Sequence, residues 1–205
     1  MKGYILMNLL KNKIGRKLVA SATAVAVLAS FSSGVFAASM KNVDPSVIYN
    51  GAFVEIGYLE GWQRSQNVKE VMAKDGNCYA WLEQTTYKQT YISQTVTLPK
   101  NAVAITFDYQ CYIGNAYDSN LAKSKDYVAA YIVCDGVEYE LMKNNVSDSI
   151  FLSANYGARW VSSTCNIKKF AGKEVTIKFV NSDSKNWDNV DTSMGVDNVG
   201  VIVID

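Results

Sequence analysis

Apolar and polar residues alternate with a period of two through short runs of this 205-residue chain, from about residue 47 to its end, and turn-forming residues bound each run. In the stretch from Ile105 to Tyr112, Ile105, Phe107, Tyr109 and Cys111 share one face of an extended strand, and Thr106, Asp108, Gln110 and Tyr112 share the other. Successive side chains of a strand point to opposite sides, so this spacing reads as a half-buried strand. Val175, Ile177 and Phe179 alternate in the same way with Thr176, Lys178 and Val180. Further strands are expected near 47–55, 78–84, 91–98, 126–134, 137–142, 158–167 and 194–203. Turn signals at Asp75-Gly76-Asn77, Pro99-Lys100-Asn101, Asp135-Gly136 and Gly172-Lys173 separate them. Asp135-Gly136, between two apolar runs, reads as a tight hairpin. A short helical turn is expected around 68–74, and long polar loops over 113–125 and 181–193. Short strands every 8–15 residues, with no amphipathic helix of useful length, predict an all-β antiparallel sandwich or barrel.

Residues 1–37 read as a secretory signal peptide. Lys2, Lys11, Lys13, Arg16 and Lys17 form a basic start, Leu18 to Leu28 an apolar centre, and Val35-Phe36-Ala37 a cleavage site. Ser21, Thr23, Ser30, Ser32, Ser33 and Gly34 break the apolar stretch, which falls short of the ~20 apolar residues a membrane span needs. A secreted protein without a membrane span is therefore expected, with a flexible lead-in over 38–46 and one domain over 47–205. Cleavage after Ala37 removes five positive charges and no negative one, which takes the formal net charge from +1 to −4. Nucleic acid is then a poor partner, because its binding depends on a basic patch. A neutral ligand fits best.

The chain has no histidine, which excludes Ser-His-Asp and Cys-His nucleophiles, His-ligated zinc and imidazole acid–base chemistry. The four cysteines, Cys78, Cys111, Cys134 and Cys165, show no C-x-x-C spacing, so a thiolate metal site is not expected. Two disulfides or four buried thiols both fit this count. Cys78 and Cys111 share the inward phase of core strands and are the preferred pair if disulfides form.

A set of short pieces runs in order along the domain: Asn50-Gly51-Ala52-Phe53-Val54-Glu55, Ala80-Trp81-Leu82, Ser93 to Pro99, Ile105 to Tyr109, Trp160, Asn166 to Lys173, Val175 to Phe179, and Val196-Asp197-Asn198-Val199. This order resembles the galactose-binding-like jelly rolls of bacterial carbohydrate-binding modules (family 4–9 type) and the related MAM-type domains, over roughly residues 48–204. The resemblance implies a jelly-roll β-sandwich whose first and last pieces are neighbours and share a structural calcium ion. Glu55 and Asp197 would be its carboxylate ligands, with Asp75 a further candidate, and carbonyls and water would complete a shell of six to eight oxygens.

Sugar recognition needs aromatic planes for the pyranose rings and amides or carboxylates for the hydroxyls. Leu82 matches an inward position of the family pattern, which turns Tyr79 and Trp81 outward, and Gln110 and Tyr112 lie opposite the core set of their own strand. The loop aromatics Trp62, Tyr87, Tyr117, Tyr156 and Trp187 could line a ligand edge, while Trp160 sits where such modules keep a core tryptophan. Glycoside hydrolysis is the one enzymatic option the composition permits, and nothing in the sequence pairs the strand carboxylates Asp108 and Asp126. The expected function is a secreted, non-catalytic, lectin-like module that binds a polysaccharide or glycan. The alternative is a structural or adhesion domain with a protein partner at the cell surface, and a carboxylate-dependent glycosidase ranks third.

Overall fold

The alternating runs 105–112 and 175–180 are both realised as strand. The computed structural model describes residues 43–44, 46–53, 59–73, 77–83, 89–114, 124–147, 160–182 and 191–204. Glu55, Asp75, Tyr87, Tyr117, Tyr156 and Trp187, with the leader over 1–37, lie outside the described residues. Within them the strands are β1 (Val43–Asp44), β2 (Gln63–Arg64), β3 (Val68–Met72), β4 (Cys78–Leu82), β5 (Gln89–Thr97), β6 (Ala102–Gly114), β7 (Tyr127–Cys134), β8 (Val137–Asn145), β9 (Val161–Asn166), β10 (Glu174–Ser182) and β11 (Asp191–Val203). A 3-10 turn, Lys168–Phe170, follows β9 and buries Phe170. Among the described residues no helix is long and apolar enough to cross a membrane.

The strands form two antiparallel sheets. One runs in the order β3-β4-β11-β6-β9, with β1 added to β11, and the other runs β2-β5-β10-β7-β8. This is an antiparallel β-sandwich of the jelly-roll class. Its interior is the inward phase of both sheets. Leu82, Ile105, Phe107, Met194 and Val196 come from one sheet, and Ile92, Ile132, Ile177 and Phe179 from the other, all fully buried. Phe107 meets Phe179 edge-on, with ring centroids 5.0 Å apart. Each such side chain contributes about 1.5–3 kcal/mol relative to an exposed one, so face-to-face packing holds the sheets together.

The hairpin joining β7 to β8 turns at Asp135 (φ +53°) and Gly136 (φ +77°). Both central residues are left-handed, as a type I′ turn requires, and glycine adopts that backbone without penalty.

The first and last motifs meet through backbone. Asn50 to Phe53 form a turn, not the strand expected over 47–55. Phe53 has φ +51°, which a bulky residue rarely adopts. Its ring is fully buried and stacks 5.5 Å from Trp62, which packs 6.3 Å from Phe179. Trp62 Nε1 donates to the Asn50 carbonyl at 3.2 Å, and the buried Gln94 side chain bonds both backbone groups of Tyr49, at 2.9 and 2.8 Å. In β11 the register slips between Asp197 and Gly200, with Asn198 at φ +51°. This bulge frees the Val199 N–H, which donates to the Gly51 carbonyl at 2.9 Å. A Cβ on Gly51 would lie 2.0 Å from the Val199 carbonyl oxygen, so only glycine allows the approach.

Other expectations are corrected. The stretch expected to be helical around 68–74 supplies β3, which pairs residue for residue with β4 from Val68 opposite Leu82 to Met72 opposite Cys78. Part of the expected lead-in is β1, where Val43 and Asp44 pair with Ile202 and Val201. Gly200 leaves room for it, since a Cβ there would come within 2.7 Å of Val43 Cγ1. The ends of both expected polar loops are strand: Ile113 belongs to β6, Asn181 and Ser182 to β10, and 191–193 to β11. Cys78 and Cys111 do share the inward phase, but β11 lies between β4 and β6. Cys111 lies across β11 from Leu82, at the opposite end of β4 from Cys78, so two strand spacings (~9–10 Å) and the length of β4 both separate the pair, well beyond the ~7 Å a disulfide spans, and the expected bridge is ruled out. Cys111, Cys134 and Cys165 carry free thiols. Burial, with Asp126 nearby, pushes the Cys111 thiol up to about 12, which leaves it inert.

Candidate ligand-binding face

The outward phase of the six-stranded sheet carries a contiguous row of aromatics. Tyr79 and Trp81 of β4 are half-buried, while their strand neighbours Cys78, Ala80 and Leu82 point into the core. Their rings meet nearly edge-on at 6.2 Å. Trp81 lies 6.2 Å from Tyr112 of β6, which is 43% exposed. At the other end Trp160, just before β9, reaches over β6 and β11 to meet Tyr79 edge-on at 5.2 Å. Between β4 and β6 runs β11, whose Gly195 is opposite both Trp81 and Gln110. A Cβ on Gly195 would come within 2.6 Å of the Gln110 side chain, so this glycine makes the space in which Gln110 lies flat. Gln110 is on the outward face as expected, yet only 6% exposed.

Next to this row is a polar network built on the β11 bulge. Asp197 and Asp108 are direct cross-strand partners. The Asn198 side chain donates to Asp108 Oδ2 at 2.8 Å and to Asp197 Oδ2 at 3.4 Å, and Ser162 Oγ donates to Asp108 Oδ1 at 2.5 Å. Asp197 also accepts from Asn77 Nδ2 at 2.8 Å and from the Asn198 backbone N–H at 2.7 Å. Burial raises the Asp197 pKa, the bonds from Asn77 and Asn198 lower it, and the charge of Asp108 raises it again.

Sequence reading thus located Tyr79, Trp81, Gln110 and Tyr112 on one face, and the structure brings them together. It misplaced two tryptophans. Trp62, expected at a ligand edge, is a core residue at 6% exposure, held by Phe53 and Phe179. Trp160, expected in the core, is 41% exposed and belongs to the row. Phase would have found it: Trp160, Ser162 and Thr164 alternate against Val161, Ser163 and Cys165, and Cys165 pairs with the buried Ile105. The role of Asn198 and Ser162 was not visible in sequence. Asp108 and Asp126 are not brought together as a pair, because Asp108 faces outward whereas Asp126 is fully buried and acts on the inward Cys111.

Among the described residues no three His, Cys, Asp or Glu side chains come together as a metal cluster. Asp197 is nevertheless flanked by Asn77 and Asn198, whose side chains turned by half a turn would present carbonyl oxygens to a hard cation. Asn77 lies two residues beyond Asp75 in the sequence, and Gly51, four before Glu55, is bonded to Val199. Among the described residues, Asp197, Asn77 and Asn198 are side chains here that could offer oxygen to a hard cation.

Neither family models nor curated proteins match the sequence. Solved structures do match the fold. A carbohydrate-binding module, TmCBM61, solved in complex with β-1,4-galactotriose, aligns with a TM-score of 0.52 at 15% identity, over 77% of this chain and 98% of that one. TmCBM27, a module described for specific mannan recognition, aligns with a TM-score of 0.45 at 13% identity, over 75% and 95% of the two chains. A Stig cyclase from Fischerella sp. TAU gives 0.45 at 12% identity, over 80% and 97%. The likeness to TmCBM61 shows a shared β-sandwich fold. Function has to be argued from the site.

Proposed function

We propose that this protein binds a neutral polysaccharide or glycan chain on the outward face of its six-stranded sheet, without acting on it chemically. The observation that carries the reading is the row Trp160–Tyr79–Trp81–Tyr112 beside a hydrogen-bonding network of Asp108, Ser162 and Asn198. Flat rings give apolar surface to the C–H faces of sugars, and fixed polar groups read the hydroxyls. Asp108 and Asp197 are held by side-chain and backbone donors, which suits a binding role better than acid–base work. Negative net charge after processing favours a neutral ligand over an anionic one.

A glycan array probed with the purified protein tests this. Selective capture of neutral oligosaccharides is expected. A blank array, with retention of a protein from the cell surface instead, would favour the adhesion reading.

A calcium ion at Asp197, with Glu55 and Asp75, is proposed on the family resemblance, supported by the bonds from Val199 to Gly51 and from Asn77 to Asp197. Its role would be to tie the first motif to the last. Export is proposed on the pattern of the leader, and N-terminal sequencing of secreted protein should then begin at Ala38.

A further inference from the structure

Outer strands of a sheet present unpaired N–H and C=O groups, and proteins usually guard them with charge, irregularity or shortness. In this sandwich β3 carries Lys69 and Glu70. β8 carries Glu138, Glu140 and Lys143, with a register shift opposite Ala130 and Tyr131, and β2 is two residues long and includes Arg64. β9 has none of these guards. It reads Val161-Ser162-Ser163-Thr164-Cys165-Asn166, without charge, proline or irregularity, and among the described residues it pairs only with β6. Val161, Ser162, Thr164 and Asn166 are exposed. Trp160 folds back over the sheet toward Tyr79.

We propose that β9 pairs antiparallel with β9 of a second copy of this chain, about a two-fold axis through Ser163. The strand is self-complementary in that register. On the outward face Ser162 stands opposite the partner's Thr164, a hydroxyl pair able to hydrogen-bond. On the inward face Val161 stands opposite the partner's Cys165, small apolar against small apolar. In an isologous contact every such pair occurs twice, so one matched strand serves both copies. This self-match is what selects a second copy over a foreign peptide. The two six-stranded sheets become one continuous sheet with both aromatic rows on the same side. The pairing stands independently of the glycan reading; only the resulting avidity depends on it.

A strand-only contact is small, so association is expected at roughly tens of micromolar protein. Sedimentation velocity of the purified protein at ~5 and ~200 µM should show a dimer that grows with concentration. Ser162→Lys combined with Thr164→Lys puts like charges directly opposite and should leave monomer throughout. Ser162→Lys combined with Thr164→Glu puts opposite charges in the same places and should restore the dimer. A parent that stays monomeric at ~200 µM overturns the proposal, as does a dimer that both variants leave unchanged. If the double-lysine variant does not fold, Ser162→Arg combined with Thr164→Arg makes the same like-charge contact, and a dimer that survives it overturns the proposal.

Discussion

Asp197 is where burial and hydrogen bonding oppose each other most directly. Its carboxyl is 2% exposed, and burial raises its pKa from 3.8 against the donors from Asn77 and Asn198. A folded-state pKa above the unfolded one means that the folded chain holds the proton more tightly. The stability this gives is fully present below the unfolded pKa and is lost as pH rises through the raised one. With calcium chelated, the melting temperature of the parent relative to Asp197→Asn should therefore improve as the pH falls from ~6 toward ~4. A difference that stays flat would mean that Asp197 titrates normally. Single residues were legible in the sequence where they sat in a long alternating run: Tyr79, Trp81, Gln110 and Tyr112 all have the phase their neighbours dictate. Trp160 had the outward phase of its own strand, which the family pattern overrode, whereas Trp62 lacked such a run. Trp62 stands beside a two-residue strand, and its burial depends on Phe53 and Phe179, which are distant in sequence.

At the scale of elements, glycines divide into those that supply a backbone conformation and those that supply space. At Gly136 a Cβ would have nothing within 4 Å, so Gly136→Ala costs only the left-handed backbone, ~1 kcal/mol, and a small drop in melting temperature is expected. At Gly51 the added Cβ would collide with the Val199 carbonyl, so Gly51→Ala should break the clasp between the first and last motifs and lower the melting temperature far more. Thermal melts of the two variants side by side check the order; the reverse ranking would remove the clasp from the account. Long strands such as β6 and β10 were readable because nine or more residues keep a single phase. The β3 stretch was not, since Val68-Lys69-Glu70-Val71-Met72 suits a helical turn equally well and only its pairing with β4 decides. The bulge at Asn198 was hidden because a bulge is defined by the partner strand, which local sequence does not contain.

For the molecule as a whole, the sandwich was legible from strand spacing, whereas the ordering of strands into sheets was not, because it is fixed by contacts between distant segments. β11 sits between β4 and β6, which separates Cys78 from Cys111 and puts Gly195 under the aromatic row. If calcium links the ends of the domain, an ion bound only by the folded state should raise the melting temperature in millimolar calcium relative to EDTA, and an unchanged midpoint removes the site. The central claim is that the aromatic row is the binding surface. Its most direct test is calorimetric titration of an array-selected glycan into the parent, Trp81→Ala, Trp160→Ala and Tyr91→Ala, the last on the other sheet and 36% exposed. A stacked ring is worth on the order of 1–2 kcal/mol, so each tryptophan variant should bind about tenfold or more weakly at an unchanged melting temperature, with Tyr91→Ala binding as the parent does. Full affinity in both tryptophan variants, or loss of binding on Tyr91→Ala alone, would contradict the account.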